Sequence, residues 1–225
     1  MKSGYRPLVG FLLILSVDFL SCGGMKGDIA DENGIDEPEI PVEAYLFDVK
    51  LRRNGKPTSF RLDIYQTDSA VAMYGRGYFN KGAFRGILTD DSLLINFPSS
   101  KEYLRESIES LFQSFDCEKD LIAVNLLGYF ASLPDSGHIS EDLSVETVEQ
   151  DGQSRKVKVT SINCPWELLI GYGLKEKGWR IDSFEFDDRE SVTLKGELRN
   201  YKVDSSVSQS RFKLSIPDNF IKLTL

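Results

Sequence analysis

Apolar and polar residues alternate with a period of two along most of the chain from residue 44 onward. In the first such stretch, Tyr45, Phe47, Val49 and Leu51 alternate with the positions between them. Alternation of this kind is typical of half-buried strands, and short segments rich in Gly, Asn, Asp and Pro separate the stretches as turns. The pattern predicts strands over residues 44–51, 60–65, 70–79, 83–89, 92–97, 143–150, 155–162, 166–174, 179–186, 191–203, 210–216 and 220–225.

The period changes after Pro98. Ser99 and Glu102 have the spacing of a helix capping box. Apolar residues then follow at helical spacing, which predicts a helix that begins at Ser99. A second apolar helix is predicted over about residues 118–130, and residues 133–138 are expected to form a loop.

The fold class follows from the order of these elements. Consecutive strands with short turns indicate a meander, and two short apolar helices must pack on a sheet to be stable. The sequence predicts a mainly β (α+β) fold with a single large curved antiparallel sheet, or open half-barrel, of about 11 strands that wraps two or three short helices. Residues 44–225 contain no linker and should form one domain.

The alternating apolar residues define a candidate ligand cavity. They are expected to face one concavity, with the helix residues Leu104, Ile108, Leu111 and Phe112 over its mouth. The pattern fits a cavity for acyl chains and fits a core filled by its own side chains equally well. The proposed lining residues are Phe60, Leu62, Ile64, Leu93, Ile95, Phe97, Phe184, Phe186, Phe212 and Leu214.

The N-terminus has the organisation of an export signal. Lys2 and Arg6 precede an apolar run over residues 8–17, which is shorter than the ~20 residues needed to span a bilayer. The junction Ser21-Cys22 is similar to a bacterial lipobox, in which the cysteine is acylated, for example with palmitate, and becomes the first mature residue. We therefore predict a lipoprotein signal peptide over residues 1–21 and a lipid anchor at Cys22; an ordinary signal peptide is the alternative.

Residues 22–43 are predicted to form an acidic tether. Between residues 25 and 43 the chain has one lysine and seven acidic residues, two prolines and no periodicity, so we expect this segment to be disordered. The whole chain has a formal charge of −8 and a sequence pI near 4.9. Nucleic-acid binding usually needs a basic face, so nucleic acid is not an expected partner.

Signs of catalysis are weak. The one histidine, His138, lies in the predicted loop, and no nucleophile–base arrangement or phosphate-binding motif accompanies it. The paired glycines at 75/77 and 171/173 fall inside strands, where glycine allows bends or bulges. The doublets Asp90-Asp91 and Asp187-Asp188 lie in hairpin turns, where aspartate stabilises the local structure. We therefore predict no enzyme activity, no cofactor and no metal site.

The two cysteines other than Cys22 form an even pair in an exported domain. Cys117 and Cys164 are most simply joined as a disulfide, since exported proteins fold under oxidising conditions. Two buried free thiols are the alternative.

Two stretches of sequence resemble the LolA/LolB lipoprotein-carrier family. The first, in the middle of the chain, consists of residues 72–77 and 86–93. The second, near the end, consists of Tyr201 and the sequence Arg-Phe-Lys-Leu-Ser-Ile-Pro at 211–217. The resemblance covers roughly residues 44–225 by pattern and order of elements. It implies a curved sheet covered by helices, with a hydrophobic cavity for lipids or for the acyl chains of lipoproteins. The anchor makes the chain more similar to LolB than to soluble LolA.

The sequence thus predicts a membrane-anchored lipoprotein of the bacterial cell envelope, at the outer membrane and facing the periplasm. Its expected partners are lipid or lipoprotein acyl chains and the membrane that holds its anchor, and the expected role is transport or localisation of these molecules. The alternative is a structural or sensor lipoprotein with a self-filled core that recognises an envelope protein.

Overall fold

The computed structural model describes residues 38–77, 82–89, 91–107, 110, 137–138, 143–162 and 165–224. Within these residues the chain forms thirteen strands in one sheet and a short 3₁₀ helix at Gln209–Phe212. The strands are β1 (Glu39–Arg53), β2 (Lys56–Gln66), β3 (Ala70–Arg76), β4 (Gly82–Thr89), β5 (Ser92–Phe97), β6 (Glu102–Ser107), β7 (Gly137–His138), β8 (Leu143–Gln150), β9 (Ser154–Ser161), β10 (Glu167–Lys175), β11 (Gly178–Asp187), β12 (Val192–Ser208) and β13 (Ile221–Lys222).

The sheet is open and mostly follows the order of the chain. Its strands lie in the order β13, β6, β5, β4, β3, β2, β1, β12, β11, β10, β9, β8, β7. Neighbours in sequence pair antiparallel within β1–β6 and within β7–β12, and the long strands β1 and β12 join these two halves. The mainly β, open-sheet prediction is therefore confirmed in its broad form.

Alternation along the strands gives the sheet one apolar face. In β1 the buried residues Tyr45, Phe47, Val49 and Leu51 point to the same side, and the residues between them are more exposed. Cross-strand partners share a face, so the apolar residues of all the other long strands meet those of β1 in a single layer. We call this side of the sheet the inner face and the opposite side the outer face.

The helix predicted from Ser99 is wrong over Glu102–Ser107, which form β6. Leu104 pairs with Ile95 of β5 and is fully buried, so it continues the period-two pattern of the sheet. A tight turn in which Lys101 has a φ of 56° joins β5 to β6 and replaces the predicted helix cap. The remaining positions Ile108, Leu111 and Phe112, and the helix predicted over 118–130, lie outside the described residues.

The strand predicted over 210–216 is also wrong. Its first residues belong to the 3₁₀ helix, and residues 213–220 form no ladder. We call residues 209–220 the C-terminal strap. The strap leads to β13, which pairs with β6 in parallel, so the sheet is mixed and not purely antiparallel.

Two smaller differences concern boundaries. β1 begins at Glu39, inside the segment assigned to the disordered tether, and its first residues pair with the end of β12. Gly137 and His138, predicted as loop, form β7 against β8. Among the described residues, no helix is long and apolar enough to cross a membrane.

Candidate functional site

The inner face carries one continuous cluster of apolar side chains. Its buried members come from β1 to β6 and from β8 to β12, together with Trp166, which precedes β10. The tightest part centres on Phe47, Leu93, Leu104, Phe186 and Leu194, each with no measurable exposure. Burial on this scale is the dominant stabilising term of such a domain.

Most of the predicted lining residues belong to this cluster. Phe184 is partly buried and packs against it. Leu104, predicted to lie over a cavity mouth, is instead part of the layer itself. The seven predicted lining residues inside the cluster are each 6% exposed or less: Phe60, Leu62, Ile64, Leu93, Ile95, Phe97 and Phe186.

Phe212 and Leu214 are not brought together with the others. Both lie in the C-terminal strap, outside the apolar cluster. Around them, the hydroxyl of Tyr74 donates to the carbonyl of Arg211, and Arg85 donates to the carbonyls of Ser210 and Lys213. Tyr74 and Arg85 alternate with inner-face residues of β3 and β4, so they lie on the outer face. The strap therefore packs on the side of the sheet opposite the apolar cluster.

Several apolar residues near the junction of β11 and β12 are only partly buried. The ladder between these strands has five residue pairs, from Ser183–Glu197 to Asp187–Thr193, whereas β1 and β12 pair along nearly their full lengths. Residues 178–182 of β11 do not pair with β12. We call the place where they separate from residues 198–208 of β12 the fork. The partly buried apolar residues that pack on the cluster near this place are Leu168, Trp179, Phe184, Leu198 and Tyr201.

Aromatic rings form a continuous row beside the fork. The ring of Phe184 lies 5.4 Å from that of Phe47, which lies 6.2 Å from that of Tyr45. The ring of Tyr45 lies 5.0 Å from that of Tyr201. Aromatic centroids at these separations attract one another in addition to burying apolar area. This aromatic row leads from the buried layer to Tyr201, which is partly exposed.

The row ends at a polar group of four side chains, which we call the carboxylate cluster: Glu43, Tyr45, Arg180 and Tyr201. Arg180 donates from Nε to Glu43 Oε2 at 2.7 Å and from Nη2 to Oε1 at 2.9 Å. The hydroxyls of Tyr45 and Tyr201 donate to the same Oε2 at 2.8 and 3.2 Å. The carboxylate therefore has four donors from β1, β11 and β12.

The environment of this cluster fixes its protonation. The hydrogen bonds from Arg180 lower the pKa of Glu43 below its usual value of 4.5 and outweigh the opposing effect of burial. Burial raises the pKa of Tyr45, and the bond to Glu43 acts in the same direction. Burial also raises the pKa of Tyr201. At neutral pH the cluster thus holds an ionised carboxylate, a guanidinium cation and two neutral phenols.

Glycines shape the inner face around these rings. The predicted bulges are confirmed, because the registers shift between Gly75 and Arg76 and between Gly171 and Tyr172. The ring of Phe184 lies over Gly196, where a Cβ atom would overlap it. Phe84 covers Gly75 in the same way. A bare backbone at these positions lets an aromatic ring lie flat against the neighbouring strand.

The aspartate doublet at 187–188, identified in the sequence as a turn, stabilises the local backbone. The Asp188 carboxylate accepts hydrogen bonds from the backbone N–H groups of Glu190, Ser191 and Val192, as expected of an aspartate in a turn. Across the part of the chain that the structure describes, no three His, Cys, Asp or Glu side chains lie together as metal ligands would. Cys22, Cys117 and Cys164 lie outside the described residues, so the lipid anchor and the disulfide stay predictions.

Sequence reasoning missed the carboxylate cluster. Glu43 had been assigned to the acidic tether, and Arg180 occupies an ordinary position between two apolar residues of a strand. The two are 137 residues apart, so only the pairing of β1 with β12 brings them together. The early start of β1, marked by the apolar residues Ile40 and Val42, is the signal that could have placed Glu43 in the sheet.

Comparison with known proteins identifies no family. No family model matches the chain, and no curated protein matches it. Similar solved structures include a DUF1329 family protein from Desulfovibrio piger, with 10% identity, a TM-score of 0.44 and coverage of 79% of this chain and 90% of that one. An uncharacterised conserved protein from Thermus thermophilus has 10% identity, a TM-score of 0.42 and coverage of 80% and 90%.

A third similar structure is a domain from Vibrio parahaemolyticus named for outer membrane lipoprotein sorting. It has 8% identity and a TM-score of 0.39, and the match covers 76% of this chain and 89% of that one.

Proposed function

We propose that the protein binds the acyl chains of lipids or lipoproteins on the inner face of its sheet, with access at the fork. The observation that carries the proposal is the distribution of exposure on this face. The apolar layer is closed over β1 to β6, whereas Trp179, Phe184 and Leu198 stay partly exposed beside the fork. Partly exposed apolar side chains continuous with a buried layer are where an apolar ligand gains most from leaving water.

Binding of this kind needs no covalent chemistry. Each methylene group moved from water onto the apolar layer contributes about 0.8 kcal/mol. A chain of ordinary length therefore gains enough to offset the loss of its own freedom. Release would require a competing apolar site, which is the behaviour of a carrier.

A second candidate function is a scaffold that recognises an envelope protein. The observation that favours it is the complete burial of Phe47, Leu93 and Phe186 by the protein's own residues. A layer packed to this degree stabilises the domain whether or not a chain is bound. The two candidate functions predict different effects of a substitution that leaves space in the apolar layer.

The discriminating experiment combines native mass spectrometry with thermal unfolding of Phe186→Leu. Phe186 packs against Trp166, at a centroid distance of 6.1 Å, so the shorter side chain leaves space in the layer. For a carrier, we expect lipid to copurify with the wild type and the variant to retain longer chains. For a scaffold, the variant would show only a lower Tm, with no bound lipid in either protein.

Phe212→Leu is the matched control. It makes the same substitution in the C-terminal strap, outside the apolar cluster. The chain lengths retained by this variant should equal those of the wild type. Absence of lipid mass from gently purified wild-type protein would contradict the carrier proposal.

We further propose that the protein is exported and anchored through acylated Cys22, with the inner face accessible from the periplasm. The support is the signal-like N-terminus and the acidic segment that separates Cys22 from β1. An anchor of this type would hold the fork close to the membrane that supplies acyl chains.

A further inference from the structure

The carboxylate cluster has the composition of a receptor for a carboxylate group. The donors are two nitrogens of one guanidinium and two phenol hydroxyls, all directed at the oxygens of Glu43. Planar guanidinium groups bind carboxylates through two parallel hydrogen bonds, and such charge-assisted bonds are stronger than neutral ones. The same set of donors would bind any carboxylate of similar shape.

The four donors are positioned by contacts other than their bonds to Glu43. Tyr45 and Tyr201 are direct cross-strand partners, and Tyr45 is only 2% exposed. Arg180 is further positioned by a bond from Nη1 to the carbonyl of Trp179 at 2.9 Å. Glu43 pairs with Gln66 of β2 but has no partner in β12, because the register of β1 against β12 shifts between Val42 and Ala44. Its side chain is 20% exposed, so it can rotate into solvent while the backbone pairing is kept.

An exchange of one carboxylate for another at this place leaves Arg180 paired with an anion. The guanidinium keeps an anionic partner, and the displaced Glu43 side chain, already 20% exposed, becomes hydrated. The bidentate guanidinium and the two phenol hydroxyls would bind the incoming carboxylate as they bind Glu43.

The carboxylate cluster lies beside partly exposed apolar residues at the fork. Arg180 follows Trp179 in β11, and the aromatic row packs Phe184 on Phe47 and Phe47 on Tyr45. A ligand that uses both features has a long apolar chain with a carboxylate at its end. We infer that the protein binds long-chain fatty-acid anions, with the ligand carboxylate replacing Glu43 on Arg180, Tyr45 and Tyr201 and the chain lying against Trp179, Phe184 and Leu198. This inference rests on the proposed acyl-chain binding.

The test measures the affinities of dodecanoate and dodecanol for the purified full chain by calorimetry. In the wild type, dodecanoate should bind more tightly than dodecanol, since only its head group can bind the four donors. Glu43→Gln should strengthen dodecanoate binding by about tenfold, because the competing charged side chain is gone. A cluster with a purely structural role would give unchanged or weaker binding in this variant.

Two further variants complete the design. Tyr201→Phe keeps the ring and removes one donor, so it should weaken dodecanoate binding more than dodecanol binding, since the charged carboxylate makes the stronger hydrogen bond. Glu149→Gln breaks an exposed pair with Lys156 on β8 and β9, and should change neither affinity. Tyr201→Phe is also informative if Glu43→Gln does not fold, because it disturbs no charge.

The outcomes separate this inference from the proposal on which it rests. If both ligands bind equally to the wild type and to every variant, acyl-chain binding stands and the carboxylate inference is overturned. If neither ligand binds the wild type or any variant, both acyl-chain binding and the carboxylate inference are overturned. A ratio of dodecanoate to dodecanol affinity that rises in Glu43→Gln and falls in Tyr201→Phe supports the inference.

Discussion

Gly196 and Phe184 are cross-strand partners, and the aromatic ring occupies the space that a side chain at position 196 would need. The pair lies in the short ladder between β11 and β12, beside the fork. Because that ladder has only five pairs, a disturbance at one of them weakens the pairing of β11 with β12. The absence of a side chain at this position is therefore a requirement of the fold.

We expect Gly196→Ala to destabilise the protein by about 1–3 kcal/mol, because the added methyl group overlaps the Phe184 ring and forces it to move. Urea unfolding measures this change. Gly152→Ala is the control, since nothing lies within 4 Å of a Cβ atom there. Equal stability of the two variants would show that the ring adapts freely.

At this scale, part of the site could be predicted from the sequence. The glycine pairs within strands indicated bulges, and bulges occur at Gly75 and Gly171. The alternation of apolar and polar residues also correctly predicted seven residues of the apolar cluster. It could not reveal that Phe184 covers Gly196, because that contact depends on the register of β11 against β12. Nor could it reveal that Arg180 binds Glu43, because that contact depends on pairing between distant parts of the chain.

The C-terminal strap is the element that departs most from its predicted form. Alternation of Phe212, Leu214 and Ile216 with more exposed residues is the signature of a strand, yet residues 213–220 form no ladder. Their place on the outer face is set by side chains. Arg211 lies over the rings of Tyr65 and Tyr74, at 5.0 and 5.5 Å from their centroids. A period of two thus shows which side of a segment is buried, but not what the backbone pairs with.

The same limit explains the wrong helix. Tyr103 and Leu104 also fit a helical stripe, and Ser99 with Glu102 fits a cap, so local signals favoured a helix. The pairing of Leu104 with Ile95 buries it completely in the sheet. Tertiary packing therefore outweighs the local preference.

Arg85 is the residue through which the strap is held most directly. Its Nη2 donates to the carbonyls of Ser210 and Lys213, both at 2.9 Å. We expect Arg85→Met to destabilise the protein by about 1.5–3 kcal/mol, the usual contribution of hydrogen bonds to a charged group. Hydrogen exchange should accelerate at the amides of Ile221 and Leu223, which bond to Lys101 and Tyr103.

Arg199→Met is the control for that experiment. Arg199 makes an exposed pair with Asp48 at 3.5 Å, and exposed pairs contribute little. Its removal should leave both the free energy of unfolding and the exchange of the last residues nearly unchanged. Unaltered exchange in Arg85→Met would mean that the strap is held by its apolar residues alone.

The whole molecule is predicted to be a sheet tethered to a membrane. If Cys22 is acylated, Cys22→Ser should shift the protein from the membrane pellet to the soluble or unprocessed fraction, because a serine cannot carry the thioether-linked lipid. Ser21→Ala keeps a small residue before the cysteine and should remain in the pellet. Unchanged fractionation and mass of Cys22→Ser would contradict the anchor.

The pairing of β1 with β12 joins residues 39–53 to residues 192–208 and so sets the order in which the molecule can fold. The hairpins of β1 to β6 and of β8 to β11 can form by pairing of strands that are neighbours in the sequence. The central ladder must close a loop of more than a hundred residues, and such closures are slow. During synthesis from the N-terminus, β1 stays an unpaired edge until β12 has emerged, and an open apolar edge is prone to aggregation. A nascent chain with this topology depends on being kept unfolded, or protected by a chaperone, until its last quarter is complete.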